Sequence, residues 1–103
     1  MLLSIVTPAY NESKNLPILY LGLSEFFKSN KINWEWIVVD DHSSDDTLQV
    51  VKKISVADPR VRFIRLAKNY GSHKAMACGI HNAHGNCAII MAADLQDPPE
   101  LIS

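Results

Sequence analysis

The sequence predicts an α/β fold on a mainly parallel sheet, with elements in the order βαβαβαβ. Four short apolar, partly β-branched runs alternate with three stretches whose apolar residues recur at helical spacing. The links between them are short, as parallel strands joined by right-handed crossovers allow. Each apolar run then gives way to a polar cluster, and ligands of parallel sheets bind outside the carboxyl ends of the strands.

The elements follow in order. Leu2 to Thr7 is apolar enough for a buried strand, and Pro8 is expected to stop it. Ala9 to Glu12 form a loop, and Ser13 is the expected N-cap of a helix on which Leu16, Leu19, Leu23, Phe26 and Phe27 share a face. Pro17 is tolerated in its first turn, and the helix frays near Ser29-Asn30. Trp34 to Val39 is the second strand, ending in Asp40-Asp41. Ser43 and Ser44 lead into Asp45-Asp46, an acidic first turn that complements a helix dipole. Leu48, Val51 and Ile54 stripe that helix, and Asp58-Pro59 ends it.

Val61 to Leu66 is the third strand, and its Arg62 and Arg65 imply an edge or half-covered position. After the turn Asn69-Tyr70-Gly71, Ser72 is expected to cap a helix rich in small residues that runs to about Ala83. Gly85-Asn86 turns into a fourth strand, Cys87 to Met91. No internal repeat or linker interrupts the series. The expected architecture is a Rossmann-like α/β half, a single unit over residues 1–103.

Composition narrows the function. The 103 residues are 48% hydrophobic and 20% charged, with a net charge of −1, which describes a globular chain without the basic footprint of a nucleic-acid binder. Two cysteines are too few for a disulfide framework, and reduced thiols in a cytoplasmic setting are the expectation. The opening apolar run has no basic region before it and is broken by Ser4 and Pro8, so it does not read as a signal peptide. No apolar run approaches membrane-spanning length.

The chemistry gathers at the four strand ends: Thr7 to Glu12, Asp40 to Ser44, Lys68 to His73 and Asp94 to Glu100. Neither a Gly-x-Gly-x-x-Gly fingerprint nor a P-loop is present. A nucleotide bound here therefore lacks a glycine-rich phosphate cradle, and a divalent cation is the natural substitute. The last cluster, Asp94-Leu95-Gln96-Asp97-Pro98-Pro99-Glu100, offers hard oxygen ligands of the right kind at a strand tip.

Taken together, Thr-Pro-Ala-Tyr-Asn-Glu (7–12), Val-Val-Asp-Asp-His-Ser-Ser-Asp-Asp-Thr (38–47), Lys-Asn-Tyr-Gly (68–71) and Ala-Asp-Leu-Gln-Asp-Pro-Pro-Glu (93–100) resemble a family 2 glycosyltransferase. The similarity is strongest to the polyprenyl-phosphate branch, which includes the dolichol-phosphate mannose synthases and bactoprenol glucosyltransferases. It covers the whole chain in order. The resemblance implies a GT-A fold, a UDP- or GDP-linked sugar donor, Mg²⁺ or Mn²⁺, and inverting transfer to a lipid phosphate. It places Pro8, Ala9, Tyr10 and Glu12 around the nucleoside and makes Asp41 an acceptor for the base. Asp94 and Gln96 would hold the metal that bridges the donor phosphates, with Asp94 the catalytic residue. Such a metal takes up charge on the departing diphosphate as a Lewis acid. A protein of this branch would work at the cytoplasmic face of the membrane.

Other residues have plainer readings. Asp40 is expected to bond loop amides, and Asp97 and Glu100 to cap the turn after the proline pair. Lys68 faces either the diphosphate or solvent, while His42 and His73 lie near enough to touch a phosphate. Cys78, His81, His84 and Cys87 are of zinc-ligating type, but steps of three walk around a helix and Cys87 opens a strand. Buried thiols and surface histidines are the better account.

Two departures from the family matter. Ala92 stands where an Asp-x-Asp motif has its first Asp, removing one carboxylate from the cation. The regions that build the acceptor side in family members are absent from these 103 residues. The isolated chain is therefore expected to be inactive as a transferase, and to fold marginally because its fourth strand, lacking its later neighbours, leaves an unpaired edge. A non-catalytic nucleotide-sugar-binding module and a ligand-free interaction domain are the alternatives.

Overall fold

The computed structural model describes residues 1–93. Its elements are β1 (Leu2–Ala9), α1 (Asn15–Ser29), β2 (Asn33–Asp40), α2 (Thr47–Ala57), β3 (Val61–Arg65), α3 (Ser72–His81) and β4 (Cys87–Ile90). The four strands form one sheet in the order β3-β2-β1-β4, with every pairing parallel. The expected α/β, Rossmann-like architecture is what the chain adopts.

Strand alternation sorts the side chains onto two faces. Leu3, Ile5, Trp34, Trp36, Val38 and Val61 pack with Leu16, Leu19, Leu23 and Phe27 of α1 and Val51 of α2. On the other face Val6, Ile37 and Val39 pack with Ala75 of α3. Gly79 lets α3 lie close to the sheet, since a Cβ there would meet Val6 Cγ1 at 2.3 Å and Val39 Cγ2 at 3.1 Å. The central strands β1 and β2 are therefore buried on both sides and read as nearly continuous apolar runs.

Two clasps hold the amino-terminal end of the sheet. Ser4 lies opposite Glu35 in the register, and its hydroxyl donates to Glu35 Oε2 at 2.6 Å. The same carboxylate accepts the His84 amide at 2.6 Å and Arg62 Nη2 at 2.8 Å, which ties the α3–β4 turn and β3 to β2. Burial alone would raise the Glu35 pKa, but bonds from Ser4, the His84 amide and Arg62 hold it below its ordinary value. On the opposite face, Asp58 at the end of α2 accepts the Arg60 guanidinium through both oxygens, at 3.0 and 2.8 Å, and the Tyr20 hydroxyl at 2.8 Å. The Arg60 guanidinium also lies 4.7 Å above the Trp34 ring.

Several local expectations are corrected. Pro8 does not end β1 but sits inside it, opposite Val39. The Val6 carbonyl accepts from the Met91 amide and the Ala9 carbonyl from the Asp41 amide. By alternation the Pro8 nitrogen turns toward β4, past the last pair Val6–Ile90, where a missing N–H costs little. Ser13 does not cap α1. The N-cap is Lys14, and the Glu12 carbonyl receives the Asn15 and Leu16 amides at 3.1 Å. Asp45 and Asp46 precede α2 rather than forming its first turn, and the Asp45 carboxylate accepts the Thr47 amide at 2.9 Å. Gly71, with φ of 95°, stands at the N-cap of α3 in place of Ser72, and that helix ends at His81 rather than Ala83. β3 is an edge strand, as its arginines implied, but closes at Arg65. Among the described strands β4 forms the other edge, and Cys87 is exposed rather than buried.

Candidate functional site

The carboxyl ends of β1 and β2 and the start of α3 enclose a cavity of about 100 Å³. It is lined by Pro8, Ala9, Tyr10, Asp41 and Ser72. Four of these five are residues the sequence nominated for the nucleoside. Ala9 is buried, Pro8 is half-buried, and Tyr10 leaves its ring 47% exposed at the mouth. An exposed aromatic face over a small apolar floor is a surface on which a planar base can stack.

Asp41 is the charged wall of this cavity, and only 4% of it is exposed. Oδ1 accepts the Tyr70 amide at 2.8 Å and Oδ2 accepts the Gly71 amide at 2.9 Å. The aspartate thus anchors the β3–α3 loop while presenting a carboxylate to the cavity. Asp40, its neighbour, faces the other side of the sheet. Its Oδ1 accepts both the amide and the hydroxyl of Ser43, as the loop-bonding expectation holds, and its buried Oδ2 has no hydrogen-bond partner among the described residues, with Arg65 Nε at 3.9 Å.

The two loops beside the cavity are sewn together by residues that sequence reasoning passed over. Asn11 and His42 lie two positions beyond the paired residues Ala9 and Asp40, and both take left-handed backbone, with φ of 54° and 59°. The Asn11 amide donates to Ser43 Oγ at 2.9 Å, and Asn11 Oδ1 accepts the Ser44 amide at 2.9 Å and the Asp45 amide at 3.3 Å. Asn tolerates left-handed backbone and bonds nearby amides better than most residues, which suits it to this position.

Glu12 is not brought into the cavity. Its amide donates to Thr47 Oγ1 at 3.0 Å, its carboxylate accepts from Asn15 Nδ2 at 2.8 Å, and it lines a separate depression with Asn11, Ser13, Lys14, Asn15 and Asp45. In that depression Asp45 is held below its ordinary pKa: burial pushes upward, but the Thr47 hydroxyl and amide and the Ser13 donors outweigh it. Lys68 extends over the Tyr70 ring at 5.2 Å, and Lys74 approaches the same ring at 5.3 Å. His42 Nδ1 lies 3.2 Å from the Leu66 carbonyl, and His73 is exposed on α3.

Asp94 and Gln96 lie outside the described residues, as do Asp97 and Glu100. The chain leading to them is described. Met91 bonds the Val6 carbonyl, and Ala93 is buried in the same cluster as Ala9, so β4 exits at the cavity's end of the sheet. Among the described residues no three His, Cys, Asp or Glu side chains are grouped to hold a metal ion. No helix among the described residues is long and apolar enough to cross a membrane.

Comparison with known proteins places this geometry. The model of the family described as Glycosyl transferase family 2 matches residues 4–103. The chain is 40% identical over 99 residues to the uncharacterized glycosyltransferase YkcC of Bacillus subtilis, covering 96% of this chain and 31% of that protein. It is 39% identical over 100 residues to the undecaprenyl-phosphate 4-deoxy-4-formamido-L-arabinose transferase of Salmonella choleraesuis, again covering 96% of this chain and 31% of that protein. The crystal structure of S. aureus TarS 1-349 in complex with UDP-GlcNAc superposes with a TM-score of 0.80 at 28% identity, over 99% of this chain and 29% of that one. The chain thus spans about a third of the length of the curated relatives it matches.

Proposed function

The chain belongs to glycosyl transferase family 2, and from that premise we propose that residues 1–103 are the donor-binding portion of an enzyme that transfers a sugar from a nucleoside diphosphate to a polyprenyl phosphate with inversion. The observation that carries this reading is the cavity itself. Pro8, Ala9, Tyr10 and Asp41, all nominated from sequence, line one small space at the carboxyl end of a parallel sheet. Tyr10 stacks on the base, Asp41 accepts a base N–H, and the sugar and diphosphate extend toward the chain beyond Ala93. Glu12 acts from outside, fixing the loop that carries Tyr10 through its bonds to Thr47 and Asn15.

Asp94 and Gln96 supply one carboxylate and one amide oxygen, a hard donor set that fits Mg²⁺ or Mn²⁺ and leaves positions for phosphate oxygens. When bound, the cation neutralises charge on the leaving diphosphate. A lipid-phosphate acceptor is supported by the named activity of the Salmonella relative, and it would place the full enzyme at the cytoplasmic face of a membrane. An acceptor phosphate is already anionic and needs little general-base assistance.

Isothermal titration of the chain with UDP- and GDP-sugars, with and without Mn²⁺, tests the reading. Binding of at least one nucleotide sugar, strengthened by the cation, is expected. A folded sample that binds none of them would reject it.

A further inference from the structure

We propose that the outer face of α1 is the seam of a dimer of this chain, two copies of the helix packing antiparallel about a two-fold axis. The helix buries Leu16, Leu19, Leu23 and Phe27 against the sheet, so its opposite face is the one expected to be polar. Instead Ile18 and Leu21 stand on it, 58% and 61% exposed. Single exposed apolar residues are ordinary. These two are neighbours three positions apart, framed by charge in the stripe Lys14, Ile18, Leu21, Glu25. Steps of four, three and four keep all four residues on one face of a helix and are the spacing of a two-helix seam. Lys14 and Glu25 are exposed, and neither is ion-paired among the described residues, although Lys14 borders the depression that holds Glu12 and Asp45.

The order of these residues is complementary to its own reverse. The midpoint between Ile18 and Leu21 is also the midpoint between Lys14 and Glu25, so a two-fold axis there serves both pairs. Ile18 then meets the partner's Leu21. Lys14 meets the partner's Glu25 at one end of the contact, and the exchange is repeated at the other end, the isologous pattern of a two-fold interface. A parallel pair would set like charges against each other at both ends, which is unfavourable. A bilayer surface is a poorer match, because Glu25 stands among the lysines and only two apolar residues would insert. One helix face falls short of the area that a stable dimer buries, so the association is weak and depends on concentration. The cavity lies against α3, on the other face of the sheet, and stays open in such a dimer.

Sedimentation equilibrium over a range of concentrations tests the seam, with circular dichroism confirming the fold of each variant. A reversible monomer–dimer equilibrium is expected for the parent chain, and Leu21→Glu should abolish it while the variant stays folded. Lys14→Glu and Glu25→Lys should each weaken association at least about five-fold, since an attractive pair turns repulsive at both ends. Combining the two substitutions restores opposite charges across the axis and should recover the parent's association. A chain that stays monomeric at every concentration, or a dimer indifferent to Leu21→Glu, would overturn the proposal. A double variant no tighter than the single ones would overturn it as well.

Discussion

Asp40 and Asp41 are neighbours in sequence whose carboxylates leave β2 on opposite faces of the sheet, one closing on Ser43 and the other on Tyr70 and Gly71. The pair therefore organises two different loops, and only Asp41 touches the cavity. Asp41→Ala should remove nucleotide binding and also destabilise the chain by about 1–3 kcal/mol, because two loop amides lose their acceptor. Asp40→Asn should lower stability while leaving the relative affinities for UDP and GDP unchanged. Urea denaturation beside calorimetry separates the two effects, and altered base preference in Asp40→Asn would contradict the division.

Tyr10 bonds nothing among the described residues and leaves its ring open at the cavity mouth. Tyr10→Ala should keep the urea midpoint of the parent chain. Its affinity for UDP should fall roughly ten-fold, within the range of one lost base–aromatic stack. Unchanged affinity would show that the base binds elsewhere.

Gly79 tests the packing of α3. In Gly79→Ala the new methyl meets the stiff β-branched side chain of Val6 at 2.3 Å, and overpacking of this kind costs about 1–3 kcal/mol. Adding Val6→Ala should recover part of that loss, a coupling of at least about 0.5 kcal/mol in a double-mutant cycle. Strict additivity would mean that α3 moves away from the sheet instead.

Acid should loosen the two clasps. Asp58 is lowered from 3.8 to about 2, chiefly by the Arg60 hydrogen bonds acting against burial, with Tyr20 adding to them. Glu35 is lowered as well. The unfolded chain takes up these protons at higher pH than the folded one, so their contribution is complete above about pH 5 and is lost as pH falls toward 2. For Asp58, with Arg60 half exposed, the stake is about 1–2 kcal/mol. Urea midpoints measured across this range should decline, and Asp58→Asn should flatten the slope.

Removing divalent cations with a chelator should weaken nucleotide-sugar binding, and Asp94→Ala should abolish the cation's effect while preserving the cation-free affinity. Equal stimulation by Mn²⁺ in the parent and in Asp94→Ala would place the metal on other residues.

The order and type of every element were legible because hydrophobic period and turn chemistry are local properties. The cavity's lining was legible at Pro8, Ala9, Tyr10 and Asp41 because motif positions travel with the family. What escaped was decided by contacts far apart in sequence. Pro8 reads locally as a stop, and only the register with β2 and the end of β4 shows that its missing N–H is harmless. Asn11 looks like any loop residue until Ser43, Ser44 and Asp45 are brought to it. Asp41 and Gly71 are 30 residues apart, so nothing in the sequence around Asp41 shows that its oxygens are already engaged.

The strand order also has a consequence for how the chain is made. Among the described strands β1 is made first and lies between β2 and β4, of which β4 is made last. Leu2 is bonded to Asn86 through 84 positions of chain. During translation β1 can pair on one side once β2 has left the ribosome, but its other edge waits until β4 emerges. Through that interval the nascent chain carries an apolar half-paired strand, which is where sequestration by a chaperone would count most.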